Sequence, residues 1–308
     1  MLYRILFIVL GVSSYCVSLK AQTDSLKFWH TSGKSSIQLN QAHFSNWAGG
    51  GHTAISLSGS LEYDAFYQKG STGWINSYAQ FYGISKLGKG TNFRKNHDIV
   101  ELNSRLSFAH KKRTHFIAFT NVLTQVAKGY SGEAGDNSNH ISNMFSPGYI
   151  TEGLGYEYRD DNYKTDSLFF VVFAPLAGKQ TIVLDDNVDG TMYGLNKSNR
   201  VRSELGMFLQ AGFKRKILER TFLSTDLQLY TNYLSEFGNI DVNWRTALVV
   251  HANKWITMQL MANLVYNDDT KVPQFADLNS DGFNEAVGVS RKLQLMQTLG
   301  LGVSIKLK

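Results

Sequence analysis

The chain has 308 residues, a formal net charge of +6 and a single cysteine, Cys16. That length suits one large domain or two ordinary ones, one thiol excludes a disulfide framework, and so mild a charge gives no reason to expect nucleic acid as a partner.

The chain opens with a segment that reads as a leader. Arg4 supplies one positive charge, "ILFIVLG" is a short apolar run, and Ala21 is a small residue suited to cleavage. This is the pattern of a secretory signal peptide over 1–21, with the mature chain beginning near Gln22. Cys16 then leaves with the leader, which removes thiol chemistry. Loss of Arg4 and Lys20, with no acid in 1–21, lowers the charge from +6 to +4. No later segment approaches the roughly 20 apolar residues of a membrane helix. "SLFFVVFAPLAG" is short and interrupted by Pro175. Any membrane crossing must therefore use strands.

Period-2 alternation predicts strands over roughly 34–41, 53–67, 73–86, 97–110, 114–127, 149–159 and 166–176. Five more follow residue 200. "VRSELGMFLQAGFK" sets Val201, Leu205, Met207, Leu209 and Phe213 against Arg202, Glu204, Gln210 and Lys214. "FLSTDLQLYTNY" opposes Leu223, Leu227, Leu229 and Tyr233 to Ser224, Asp226, Gln228 and Asn232. "NIDVNWRTALVVH" opposes Val242, Trp244 and Leu248 to Asp241, Asn243 and Arg245, and "WITMQLMANLVYN" repeats the pattern. In "RKLQLMQTLGLGVSIKLK", Leu299, Leu301, Val303, Ile305 and Leu307 share one face, with only Met296 and Gln297 blurring it.

These runs reach a dozen residues or more, against about 5–6 in an ordinary soluble sheet. A tilted strand crossing a bilayer needs roughly 9–11. The prediction is all-β: a single antiparallel transmembrane β-barrel of about twelve strands over 22–308, in the outer membrane, with both termini periplasmic. The links agree with it. "QKGSTG", "HKKRTH", "DDNYKTD", "KRKILER" and "AN" are short, whereas those near 87–97, 128–148, 177–200 and 268–290 are long and polar. Only "SEFGN" is shorter than its class predicts. Tyr63, Tyr67, Trp74, Tyr156, Tyr158, Tyr233, Trp244, Trp255 and Tyr266 fall towards strand ends, where interfacial girdles form.

Four motifs invite a chemical reading. Gly49, Gly50 and Gly51, beside Asn46 and Trp47, fall in the first outer loop, where glycine permits a tight corner. "NHISN" places His140 two residues before Ser142, which resembles the His-x-Ser-Asn of outer-membrane phospholipases, themselves twelve-stranded barrels. A nucleophile needs its base within hydrogen-bond reach, and the asparagine expected about a dozen residues on is Leu154 here. The expectation is no catalytic residue, with a Ser142/His140 lipid hydrolase as the alternative and a soluble secreted β-protein as a second. "DLNSDGFNE" sets Asp277, Asn279, Asp281 and Glu285 around Gly282, which resembles a calcium loop, although the closing glutamate position is Gly288. Turn preference alone also enriches such residues. Arg202, Glu204, Asp226, Asp241, Arg245 and Lys292 form the polar face predicted to line the lumen. Their mixed signs favour pairing, because an unpaired charge in a dry interior costs several kcal/mol.

"QAHFSNWAGGGHTAISLSGSLEY" is similar to the N-terminal hallmark of a bacterial outer-membrane barrel family known only as domain of unknown function 3078. Further landmarks appear in order: "FTNVLTQVAKGY", "HISNMFSPGYITEGLGYEY", "FAPLAGKQTIVLDD", "LQLYTNY" and "LGLGVSIKLK". The resemblance implies an outer-membrane barrel without an established activity: a small passive channel, or a scaffold whose loops bind a small solute or a partner protein. It implies outer-membrane lipid and the barrel-insertion machinery as partners, and no cofactor beyond the calcium that the acidic loop would hold. One departure is the end of the chain, Leu307–Lys308, where such barrels commonly close on an aromatic residue.

Overall fold

The computed structural model describes residues 28–42, 54–87, 92–131, 139–162, 167–235, 237–276 and 285–307. The strands are β1 (Trp29–Ala42), β2 (Ala54–Lys69), β3 (Thr72–Leu87), β4 (Arg94–Lys111), β5 (Thr114–Thr124), β6 (Gly129–Ser131), β7 (Asn139–Ser142) and β8 (Gly148–Asn162). They continue as β9 (Ser167–Ile182), β10 (Val201–Leu218), β11 (Thr221–Asn232), β12 (Asp241–His251), β13 (Ile256–Tyr266), β14 (Val272–Ala276), β15 (Glu285–Ser290) and β16 (Gln294–Leu307). Twelve close into one antiparallel barrel in the order β1–β16–β13–β12–β11–β10–β9–β8–β5–β4–β3–β2. The pairs β6–β7 and β14–β15 are small hairpins within two of the links. All twelve predicted strands are present.

The alternation read from the sequence is what the wall is made of. Successive side chains point to opposite faces, so Leu295, Leu299, Leu301, Val303 and Ile305 project outward, Leu299 being 61% exposed. Met296 and Gln297 obey the same alternation: Gln297 is exposed on the outer face and Met296 is half-buried on the inner one. Outward aromatics gather at one end, where Trp29 meets Tyr67 and Trp74 at 5.3 and 5.7 Å, and Phe116 meets Tyr156 at 4.9 Å. At that end, the turn end, links are no longer than 163–166 or 252–255. At the opposite loop end they run to 125–147, 183–200 and 267–293. The β11–β12 link, 233–240, is still longer than any of the turns.

Strand boundaries differ from the sequence reading at several places, with β1 beginning at Trp29 and β10 running on to Leu218 among them, and two further differences bear on the interior. β9 does not stop at Leu176 but continues to Ile182. Pro175 has no partner in either neighbouring ladder, and the register shifts beside it in both. A bulge is where a strand tolerates the missing proline N–H. β16 begins at Gln294, opposite Val265 near the end of β13. Lys292, expected to face the lumen, therefore lies ahead of the strand and is exposed. The closing pair is short: β1 and β16 match only over 33–38 and 302–307, while β1 and β2 match along all of β1.

Candidate functional site: a septum in the lumen and an ordered cap

Inside the barrel, β4 and β12 stand on opposite walls, with five strands between them on either side. Arg245 of β12 reaches across and forks onto Glu101 of β4, with one bond of 3.0 Å and a second, shorter one. Glu101 also accepts from Asn103 and Asn121, each at 3.1 Å. Arg245 leans on Asp226 at 3.5 Å, and Asp226 accepts from Gln210 and Gln228 at 2.8 and 3.0 Å. Arg105, one inward position beyond Asn103, bonds Glu157 and Gln210, each at 2.7 Å. Every ion in this layer faces an opposite charge, and Glu101, Asp226 and Arg105 also have side-chain amide partners, which is the condition under which buried charges are tolerated. Two side chains thus span the barrel from wall to wall.

The septum separates two unlike halves. On the β5 and β8–β11 side the lumen is packed with Ile117, Phe119, Val172, Ala174, Phe208 and Tyr230, and Phe119 lies 5.0 Å from Phe208. On the β1–β3, β13 and β16 side the inward residues are mostly small or polar, with Phe81 and Met261 among them. Ser36 and Ser60 hydroxyls meet at 2.8 Å, Gln38 donates to Gln259 at 3.3 Å, and His97 stacks on Phe81 at 5.5 Å. These side chains, with Thr298, line a cavity of about 70 Å³. Gly300 leaves the space that the Gln38 side chain fills.

Above the septum lies a second charged layer. Lys179 pairs with Asp241. Arg202 bonds Glu204 at 2.9 Å and Asp269 at 2.7 Å, and Asn232 donates to Glu204 at 3.1 Å. Nearer the β3–β4 link, Lys95 donates to Asp98 at 3.0 Å and to Gln125 and the Ala127 carbonyl, both at 2.7 Å.

On the loop end, the described parts of the 125–147, 183–200 and 267–293 links form a cap over these layers. Val183, Val188 and Leu195 make a small apolar core beside a one-turn 3-10 helix, Gly190–Tyr193. Tyr193 donates to the Ile141 carbonyl at 2.6 Å, and the Lys271 amide donates to the Met192 carbonyl at 2.8 Å. Burial pushes the Tyr193 hydroxyl pKa up, and nearby Tyr149 adds to the shift. The Ser146 hydroxyl accepts from the amides of Leu184 and Asp185 at 2.9 and 2.8 Å. Asp185 accepts from Asn143 at 2.5 Å and from the backbone and side chain of Asn187, each at 2.9 Å. The Asn143 bond, then those from Asn187, hold its carboxyl down at about 2.

Of the predicted lumen set, Arg202, Glu204, Asp226, Asp241 and Arg245 face inward, in the two charged layers, and Lys292 does not. His140 and Ser142 are adjacent, but the imidazole Nε2 meets the Ser142 backbone carbonyl at 2.9 Å. The buried Ser142 hydroxyl is met instead by Lys95 Nζ at 3.2 Å. Asn46, Trp47, Gly49, Gly50 and Gly51 lie outside the described residues, in the β1–β2 link, as do Asp277, Asn279 and Asp281 between β14 and β15. Glu285 opens β15, its side chain outside the described set. Among the described residues no group of three or more His, Cys, Asp or Glu is arranged to hold a metal. Glu101, Arg105, Glu157 and Lys179 were not picked out from the sequence. "VELNSRL" carried the signal, since Glu101, Asn103 and Arg105 alternate with Val100, Leu102 and Leu106.

Residues 39–130, a span that includes the NWAGG block, match the family described as "Protein of unknown function (DUF3078)". No curated protein matches the chain. Among solved structures, the translocator domain of the autotransporter NalP from Neisseria meningitidis aligns at 8% identity over 98% of this chain and 95% of that one, with a TM-score of 0.36. An outer membrane channel from Pseudomonas putida F1 aligns at 12% identity over 90% and 95%, with a TM-score of 0.39.

Proposed function

For a barrel that carries this family's sequence from the end of β1 to β6, we propose the role of a closed outer-membrane scaffold that acts through the ordered loops at its outer mouth. The apolar outer wall supports a lipid setting, because no soluble fold leaves so many outward rows of leucine and valine bare. The turn end is then periplasmic, and the cap faces outward to meet a small solute or a partner protein. The chain reaches this place by its leader and the barrel-insertion machinery. In this reading His140 and Ser142 are not a catalytic pair: with His140 turned to a carbonyl and Ser142 held by an ammonium, they lack the base–nucleophile contact that catalysis needs.

The observation that carries the scaffold reading is the Arg245–Glu101 bridge, which links opposite walls at mid-height. Planar-bilayer recording tests it. The wild-type protein is expected to give no stepwise conductance, and the double variant Arg245→Ala/Glu101→Ala to give steps. Large, steady wild-type steps that this pair of substitutions leaves unchanged would overturn it. A second reading, favoured by the serine- and amide-lined half, is slow passage of small uncharged solutes. Liposome swelling in glycerol but not in a disaccharide would distinguish it from a fully shut barrel.

A further inference from the structure

The β11–β12 link does not rise over the mouth with the three links that form the cap. On β11, Asp226, Gln228, Tyr230 and Asn232 face inward, so Leu227, Leu229, Thr231 and Tyr233 face outward. Thr231 is nonetheless only 7% exposed. The amide of Gly238 donates to its hydroxyl at 3.2 Å, from a backbone with φ +103° that favours glycine. Two strands away, the Pro175 carbonyl, left without a ladder partner by the bulge, accepts from the Tyr233 hydroxyl at 2.7 Å. The Tyr233 amide holds the Leu205 carbonyl at 2.9 Å. These bonds fold the link down over the outside of the wall.

What the fold then presents is apolar. Leu234 is 78% exposed, the most of any large hydrophobic residue among those described, and Phe237 is 66% exposed. Phe237 packs beside Tyr233 at 5.9 Å, and the wall next to them shows bare Leu205 and Leu176. Such residues at a loop tip facing water are costly. Here they continue the lipid-facing belt without a break.

We infer that the 233–240 link is a lipid-inserted foot: Leu234 and Phe237 bury in the acyl chains of the outer leaflet and fix the depth of the outer rim on this side of the barrel. This rests on the outer-membrane reading, and the test separates the two. In a Cys16→Ser chain, Phe237→Cys, Leu234→Cys, Leu299→Cys and Ser198→Cys are each spin-labelled and placed in vesicles of phosphatidylethanolamine and phosphatidylglycerol. Accessibility to oxygen and to a water-soluble nickel chelate is then measured. Labels at 237 and 234 are expected to lose nickel accessibility to the level of 299 and to keep that of oxygen, while the label at 198 stays open to nickel. Nickel reaching 237 and 234 but not 299 overturns the foot alone. Nickel reaching 299 as well overturns the membrane setting. Labels at 237 and 234 shielded from both probes overturn the foot in favour of a protein contact.

Discussion

Cutting the septum from its two ends should give unequal losses. Glu101→Ala removes the fork and leaves Arg245 only the 3.5 Å contact with Asp226. Breaking a buried pair costs about 3–5 kcal/mol when the remaining charge is stranded. Arg245→Ala strands less. Glu101 keeps Asn103 and Asn121, and Asp226 keeps Gln210 and Gln228. A hydrogen bond to a charged group is worth roughly 1.5–3 kcal/mol, and because the remaining amides offset part of the lost fork, the arginine variant should lose about 2 kcal/mol. Replacing both by Arg245→Met/Glu101→Leu removes both desolvation penalties and should cost less than the sum of the single losses. Equilibrium urea unfolding in lipid vesicles, followed by tryptophan fluorescence, measures all three. An arginine variant as unstable as the glutamate variant, or a double variant that simply adds the two, would refute the view that stranded charge sets the cost.

Other consequences are as direct. Acid should loosen the cap late. Asp185 has its carboxyl held at about 2 against an ordinary 3.8, so its stabilisation is complete above about pH 4 and lost as pH falls towards 2. Limited pepsin cleavage of the 183–200 segment, titrated over that window, should show the step, and Asp185→Asn should erase it. Ser142→Ala should leave any lipid hydrolysis by the preparation unchanged and lower stability by roughly 1 kcal/mol through the lost Lys95 bond. Gly206→Ala should destabilise by about 1–3 kcal/mol, because the new methyl meets the Thr231 carbonyl, whereas Gly300→Ala meets the movable Gln38 side chain and should cost less. Thermal denaturation in detergent ranks the two glycine variants.

How far these features could be read in advance depends on the physics that fixes each. Alternation announced every barrel strand, because lipid on one side and lumen on the other impose a two-residue period that Leu299, Leu301 and Val303 record plainly. It failed where a single residue overrides the period. The strand expected over 166–176 runs on to Ile182, because the bulge at Pro175 accommodates a residue that cannot donate and lets β9 pair again beyond it. Lys292 kept the rhythm of β16 but fell past the last ladder partner on β13. The septum was half legible. Arg245 and Asp226 could be assigned to the lumen from their own strands, but the partner of Arg245 lies on the far wall, 144 positions away in the chain. Nothing local encodes that pairing. The contact of His140 with a carbonyl in place of the Ser142 hydroxyl was likewise set by a β6–β7 hairpin too short to announce itself.

The short join between β1 and β16 has a mechanical meaning. A cylinder stitched along nearly its full height elsewhere is fastened by less than half of β1 where the two ends of the chain meet. Residues 39–42 pair with β2 alone. Among the described residues, the backbone groups of that stretch which face β16 stand beyond its ladder, an unpaired edge beside the mouth. If the cylinder is pried apart sideways, the tear starts at this line, and a strand from elsewhere would find its first unspent hydrogen bonds there.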